Sequence, residues 1–288
     1  MPDEASHRAT VILSVHFDAM SLWLGWGVPP TSSRLLSRGE FSGRVGAPRV
    51  LDILKRYGVK ASWFIPGHTA ESFPEASVRV AAEGHEIGNH GYAHENLEGL
   101  SLDDIRKVIR KGNDAVERVT GQRPRGFCAP AGEFDGRLFE LLLDEGFTYD
   151  HSRMDGEFTV YWARGLDEIR LDGPPVWGPT LDLVEVPISW LMQDFRYYEF
   201  NYGTPLLVGS STPSQVEEIW TTQFDYMWER VPGGVLALVV HPDAVGWGAR
   251  SAVLERFIEH VLSKKGARFA TCEAVAQEFR AGQPAANV

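Results

Sequence analysis

Alternation is the feature that most constrains what this chain can fold into. About seven times, a short apolar, β-rich run is followed by a stretch with helical periodicity. The runs fall at 11–18, 61–65, 86–88, 125–130, 148–151, 184–188, 235–241 and 268–270. Helices are expected over 47–57, 75–82, 101–120, 135–145, 212–230, 251–264 and 273–280. Their ends carry the signals that helix termini require. Ser101 stands ahead of Asp103 and Asp104, and Thr212-Pro213-Ser214-Gln215 has the pattern of a capping box. Gly58, Gly84, Gly121 and Gly146 follow four of the helices. Strand and helix in this order imply parallel βα units, closed into one barrel or wound into one sheet.

No internal repeat, low-complexity block or linker divides the 288 residues, so residues 1–288 are read as a single domain. Two stretches break the alternation. The first, 21–46, is rich in Gly, Pro and Ser and is expected to be a loop. At roughly 25 residues it is too long for a plain connector. The second covers 154–211: an irregular insertion to 182, the strand at 184–188, then an aromatic-rich loop over 190–211.

Composition narrows the partners. Apolar content of 43% suffices for a core, and a formal net charge of -11 argues against nucleic acid or an anionic membrane as the main partner. No run reaches the ~18 apolar residues of a membrane span. Two cysteines, Cys128 and Cys272, are too few for a disulfide scaffold, and the first residues lack a basic then apolar leader pattern. The chain is therefore expected to be cytoplasmic. Among its nine tryptophans, Trp23, Trp26, Trp177 and Trp247 fall in loop-like stretches, where they can line a pocket or a subunit interface as well as a core.

Chemistry enters at Asn89-His90-Gly91-Tyr92-Ala93-His94. Two histidines four residues apart point the same way on one helical turn, and both can reach a single divalent cation. Surface or core histidines give the same pattern. What raises its weight is position: Asp18, His90, Cys128, Asp150 and His241 all fall where apolar runs end. In parallel α/β folds the C-terminal strand ends carry the site. Asp18, His90 and His94 make a set of two imidazoles and one carboxylate with an open position for water, as in hydrolytic zinc chemistry. Nickel, cobalt, manganese and iron are compatible with the same donors. His241 could protonate a leaving amine. A loop cap for Asp18 and a core role for His241 remain the alternatives.

These residues together resemble the polysaccharide deacetylase superfamily, the NodB-homology fold of carbohydrate esterase family 4. His90-Gly91-Tyr92-Ala93-His94 is similar to its metal motif, with Gly91 in the small-residue slot. His16-Phe17-Asp18 falls at its aspartate motif, Gly126 to Gly132 at its R-x-P motif, and Val239-Val240-His241-Pro242 at its last-strand histidine motif. The resemblance implies a distorted parallel (β/α)7-type barrel, a divalent metal and hydrolysis of an amide. Asp18-Ala19-Met20-Ser21-Leu22-Trp23, Tyr149-Asp150-His151-Ser152 and His241-Pro242-Asp243 are similar to an intracellular branch of allantoinases, cyclic imide hydrolases and peptidoglycan-deacetylase-like proteins. Members of that branch tend to be homo-oligomers, so a dimer or tetramer is expected. By the same resemblance Asp18 is the metal ligand.

Two positions depart from the pattern. His16 stands where the branch has a base aspartate, and Cys128 where the family has the arginine that pairs with it. Losing both halves of an ion pair together is coherent, because losing one would leave an uncompensated buried charge. His16 could replace the aspartate as general base. His16 or Cys128 could join the metal shell. Catalysis could instead be impaired, leaving a ligand-binding protein. Cys128, Asp150, His151, Asp155, Asp194 and Trp190 are expected to contact substrate. The expected activity is metal-dependent hydrolysis of a non-peptide C–N bond, in a small amide, cyclic imide or ureide. N-deacetylation of an amino sugar or peptidoglycan fragment is the alternative.

Overall fold

Every residue of the first apolar run is buried, and Ala9–His16 forms the central strand β1. A computed structural model describes residues 7–132, 134–201, 203 and 206–283. In chain order the further strands are Ser62–Ile65 (β2), Glu86–Asn89 (β3), Gly126–Phe127 (β4), Tyr149–Asp150 (β5), Tyr161–Arg164 (β6), Thr180–Glu185 (β7), Phe200–Asn201 (β8), Leu207–Val208 (β9), Gly234–Val240 (β10) and Ala267–Ala270 (β11). The helices are Met20–Gly25 (α1), Ser33–Phe41 (α2), Ala47–Tyr57 (α3), Gly67–Ser72 (α4), Pro74–Ala82 (α5), Leu102–Thr120 (α6), Leu138–Asp144 (α7), Phe195–Tyr198 (α8), Pro213–Arg230 (α9), Gly248–Ser263 (α10) and Cys272–Gly282 (α11).

One curled sheet has the order β10-β1-β2-β3-β4-β5-β7-β6, with β11 also paired to β1. All pairings but one are parallel, as the alternation requires. The exception is β6, which runs antiparallel to β7. This strand lies in the segment expected to be irregular, and it turns 161–185 into an arm on the sheet edge. On the other edge, Gln193 bridges to Val239 in parallel and the Asp194 N–H donates to the Val239 carbonyl. The chain after β7 thus returns to β10 and curls the sheet toward closure. The parallel barrel of the NodB type is the architecture observed, in one domain.

The caps behave as their sequences require. The Ser101 side chain accepts from the Asp104 N–H at the start of α6, and Gly121 ends that helix at φ 75°. The Thr212–Gln215 capping box opens α9. The stretch 21–46 is a correction. It is mostly helical: α1 and α2 occupy it, and a π-turn over Ser42–Gly46 runs on into α3. Its glycines serve close packing. A Cβ on Gly39 would lie 2.5 Å from the Met20 nitrogen, and one on Gly46 would lie 2.1 Å from the Pro242 carbonyl oxygen. Small residues read as loop signals here let helices touch backbone.

Candidate metal and hydrolytic site

The histidine pair leaves β3 in a tight turn, which corrects the helical-turn expectation. Gly91 (φ 72°) and His94 (φ 57°) both take left-handed backbone, so His90 and His94 converge without a helix. The turn is clamped at each polar atom that could loosen it. Asn89 Oδ1 accepts from the Gly91 N–H at 2.8 Å, and Glu95 Oε2 accepts from the Tyr92 and Ala93 N–H groups at 2.9 Å each. Asn89 Nδ2 donates into α6, to the Ile109 carbonyl and to Asn113 Oδ1. Gly112 lets α6 lie flush against the turn: a Cβ there would stand 2.4 Å from the Gly91 oxygen.

Three strand ends supply the rest of the floor. His16 ends β1 and Asp18 follows it, Cys128 follows β4, and His241 follows β10. The His90 Nδ1–H donates to the Cys128 carbonyl at 2.6 Å; since a carbonyl only accepts, His90 Nε2 is left as a lone-pair donor. It stands 3.6 Å from Asp18 Oδ1, and His94 Nε2 stands 3.6 Å from Asp18 Oδ2. Ligands held about 2.0–2.2 Å from a tetrahedral cation sit roughly 3.3–3.6 Å apart. Both Asp18 oxygens and His90 Nε2 are buried with no hydrogen-bond partner among the described residues. Orphaned acceptors of this kind are costly unless a cation or proton fills the space between them. The donor set therefore fits a divalent cation.

Electrostatics agree. Burial drives the Asp18 carboxyl up to about 7, against the pull of His241. Burial drives His90 down to about 3, although its bond to Cys128 opposes this, and His94 well below the usual histidine range. Both imidazoles are therefore neutral, the form that binds metal. A second set of ligand atoms, from His16, His90 and Cys128, is equally close, within 4.8 Å. It shares His90, and burial holds the Cys128 thiol well above its ordinary pKa, in the protonated form that is the poorer ligand. Asp18, His90 and His94 make the better cation site.

His241 is built as an acid. Its Nδ1 lies 2.7 Å from Asp194 Oδ1, its backbone N–H donates to Asp194 Oδ2 at 2.8 Å, and its Nε2 lies 3.8 Å from Asp18 Oδ2. Burial would lower its pKa, but the Asp194 charge and hydrogen bond outweigh burial and raise it to about 9. His241 is therefore an imidazolium at neutral pH, aimed at the same space as the candidate ligands.

Residues 41–149 match the profile of the family described as Polysaccharide deacetylase. Peptidoglycan deacetylase of Helicobacter pylori is 35% identical over 287 residues, covering 95% of this chain and 97% of that protein. The chain belongs to the polysaccharide deacetylase family. Peptidoglycan deacetylase-like protein FGM2 of Gibberella zeae is 33% identical, over 96% of this chain and 88% of its own. A crystal structure from Mycobacterium smegmatis, assigned to the polysaccharide deacetylases, superposes with a TM-score of 0.83 at 32% identity over 100% of this chain and 96% of that one. Puue allantoinase shares the fold, with a TM-score of 0.79 at 21% identity over 99% of this chain and 94% of that one. Members of the family hydrolyse amide C–N bonds and are generally metal-dependent.

In this deacetylase-family chain the two departures touch each other. Cys128 Sγ lies 3.8 Å from His16 Nε2, so a thiol and an imidazole fill the space together. Burial, then the neighbouring His90, His241, His151 and His94, push His16 well below the usual histidine range. His16 stays neutral, and this makes it a weak base.

The floor opens into a cavity of about 290 Å³ walled by Leu22, Trp26, Ile188, Trp190, Phe195 and Leu207. Of the expected substrate contacts, Cys128 and Trp190 line it, and four do not. Asp194 is turned to His241. Asp150 accepts from the Ser152 N–H and hydroxyl, and Ser152 in turn receives the Ala129 N–H. His151 donates Nδ1–H to the Val186 carbonyl. Asp155, exposed, pairs with Arg153 and Tyr161. Asp150, Asp155 and Asp194 are engaged by these local partners, whereas His151 Nε2 is buried with no hydrogen-bond partner among the described residues. Two residues went unread in the sequence, Glu185 and Arg196; the sequence already places Gln193, with Asp194, in a loop that reaches the site. Glu185 accepts from the Ser152 and Arg153 N–H groups and shares a hydrogen bond with Asp150. Gln193 and Arg196 line the cavity. A lone acid inside the apolar run 183–186 was a visible signal for Glu185. Arg196 had none.

Proposed function

We propose that this family member is a cation-dependent hydrolase of a non-peptide C–N bond in a compact amide, cyclic imide or ureide. The observation that carries the reading is Asp18: a fully buried carboxylate with both oxygens unbonded, facing two neutral imidazoles on the floor of a small, mostly apolar cavity. Zinc suits the two-histidine, one-carboxylate set, and nickel, cobalt, manganese or iron would accept the same donors. A cation bound there supplies a water of lowered pKa and polarises the substrate carbonyl.

The chain's own residues do the rest. Asp18, His90 and His94 would hold the cation, with His90 oriented by the Cys128 carbonyl. His16 accepts a hydrogen bond on the cavity floor and orients the attacking water; its low basicity suits that role better than full proton removal. His241, charged and braced by Asp194, donates its Nε2 proton to the departing nitrogen. The aromatic and aliphatic walls exclude bulk water and fit a flat, compact ring. The same reading has the protein working in the cytoplasm as a dimer or tetramer.

A second reading, N-deacetylation of an amino sugar, is favoured by the full-length identity to the Helicobacter pylori peptidoglycan deacetylase. Metal analysis of the purified protein, followed by a hydrolysis screen, separates the two. The expected result is a stoichiometric divalent cation and faster turnover of cyclic imides and ureides than of N-acetylated sugars. The reverse preference selects the deacetylase reading. A metal-loaded protein that binds but turns over none of them is a binding protein, and the hydrolase reading is then lost.

A further inference from the structure

The cavity has an acidic and imidazole floor, apolar walls and one guanidinium. Arg196, in α8, is the sole lysine or arginine among the residues that line it. It is exposed, and among the described residues it has no carboxylate within ion-pair distance and no side-chain hydrogen bond. Its nearest recorded partner is the Tyr197 ring, 5.6 Å from the guanidinium carbon. Other arginines of this region are engaged: Arg38 and Arg250 both reach the buried Glu199. Gln193, three residues earlier, also faces the cavity with its amide unbonded among the described residues.

Both residues sit on the segment that ends at the floor. Asp194, between them, braces His241, and the Phe195 ring packs 5.1 Å from the His241 ring. The rim residues Gln193 and Arg196 are thus each the chain neighbour of a residue that contacts His241. In a protein of net charge -11, an unpaired guanidinium at a cavity mouth is a local reversal of sign. A guanidinium fork is matched to a carboxylate in shape as well as charge.

We propose that the substrate carries a carboxylate, remote from the scissile C–N bond, which Arg196 binds at the rim with Gln193 beside it. This rests on the hydrolase reading above and names the substrate class within it: an acidic amide, imide or ureide rather than a neutral one. Binding energy from the remote carboxylate fixes the ring, so that the amide carbonyl lies over the floor and its nitrogen faces His241.

The test uses matched pairs on the metal-loaded protein: hydantoin against hydantoin-5-acetic acid, and N-acetylglucosamine against N-acetylmuramic acid. Wild type is expected to favour the acid of the pair it hydrolyses by about tenfold or more in kcat/KM, the size of one partly exposed charge-assisted hydrogen bond. Arg196→Ala should collapse that ratio chiefly through KM, and Arg196→Lys should restore part of it. Equal ratios in wild type and Arg196→Ala overturn the proposal. If no compound is turned over, the hydrolase reading fails, yet this inference is still decided by calorimetry. The Kd of the carboxylates must then weaken about tenfold in Arg196→Ala, and an unchanged Kd sinks it.

Discussion

Asp18 and Trp190 face the same cavity, one fully buried and the other half exposed. Asp18 follows a strand buried along its whole length, and two of the histidines around it, His90 and His241, are held by a backbone carbonyl and a carboxylate. Trp190 opens a single helical turn, Trp190–Met192, in a segment whose neighbours Leu191, Phe200, Leu206 and Val208 are all exposed. The floor is positioned by the sheet; the rim is laid over it by loops. A floor of this kind fixes which bond can be broken, because its groups cannot move apart. A rim of that kind decides which molecule is admitted, and it can change without disturbing the chemistry.

The largest expected effect lies on the floor. His90→Ala or His94→Ala should remove the bound cation and lower kcat/KM by about 10³-fold or more, since charge stabilisation worth several kcal/mol is lost. Metal stoichiometry and turnover, measured on the same preparation, check it. Unchanged stoichiometry in either variant would refute the assignment of Asp18, His90 and His94.

The same contrast explains what was legible in the sequence. A parallel sheet places chemistry at C-terminal strand ends, so an apolar run ending in Asp18, His90 or His241 reveals both the element and its role. The helices were legible through caps such as Ser101 and Thr212. The stretch 21–46 misled because glycines that let helices touch backbone look like glycines that make loops. Asp150 and His151 were visible as polar residues at a strand end and Asp194 as a polar residue in a long loop, but sequence cannot show whether such a side chain turns outward or spends its atoms on a neighbour. The pairing of Asp194 with His241 spans 47 residues and is made by the loop's return to β10. Arg196 belongs to no periodic pattern at all.

Asp194→Asn tests a link between floor and rim and should have the next largest effect. In the native protein burial lowers the His241 pKa, while the Asp194 charge and hydrogen bond raise it, to about 9. The amide removes the raising influence and leaves burial. The folded-state pKa must then fall, and His241 loses its proton at lower pH. The alkaline limb of kcat/KM is expected to move toward acid, and kcat near neutral pH to drop about 100-fold, the usual worth of a positioned acid. A pH–rate profile identical to wild type would show that His241 is not the proton donor.

The smallest effects come from two substitutions that break or sharpen the separation most directly. Gly112 lies in α6 and does not line the cavity, whereas Trp190 does. Alanine in place of Gly112 would gain about 1 kcal/mol in helix propensity. Its Cβ, however, would stand 2.4 Å from the Gly91 oxygen and 3.0 Å from Asn89 Nδ2, both on the turn that presents His90 and His94. Backbone cannot rotate away as a side chain can, and overpacking of this kind costs about 1–3 kcal/mol. The clash should outweigh the propensity gain and displace the turn, weakening zinc affinity about 10-fold in calorimetric titration. Trp190→Ala removes a half-exposed ring, so it should raise KM and leave zinc affinity unchanged. Wild-type zinc affinity in Gly112→Ala would mean that α6 does not set the floor. A shifted zinc affinity in Trp190→Ala would mean that floor and rim are one mechanical unit.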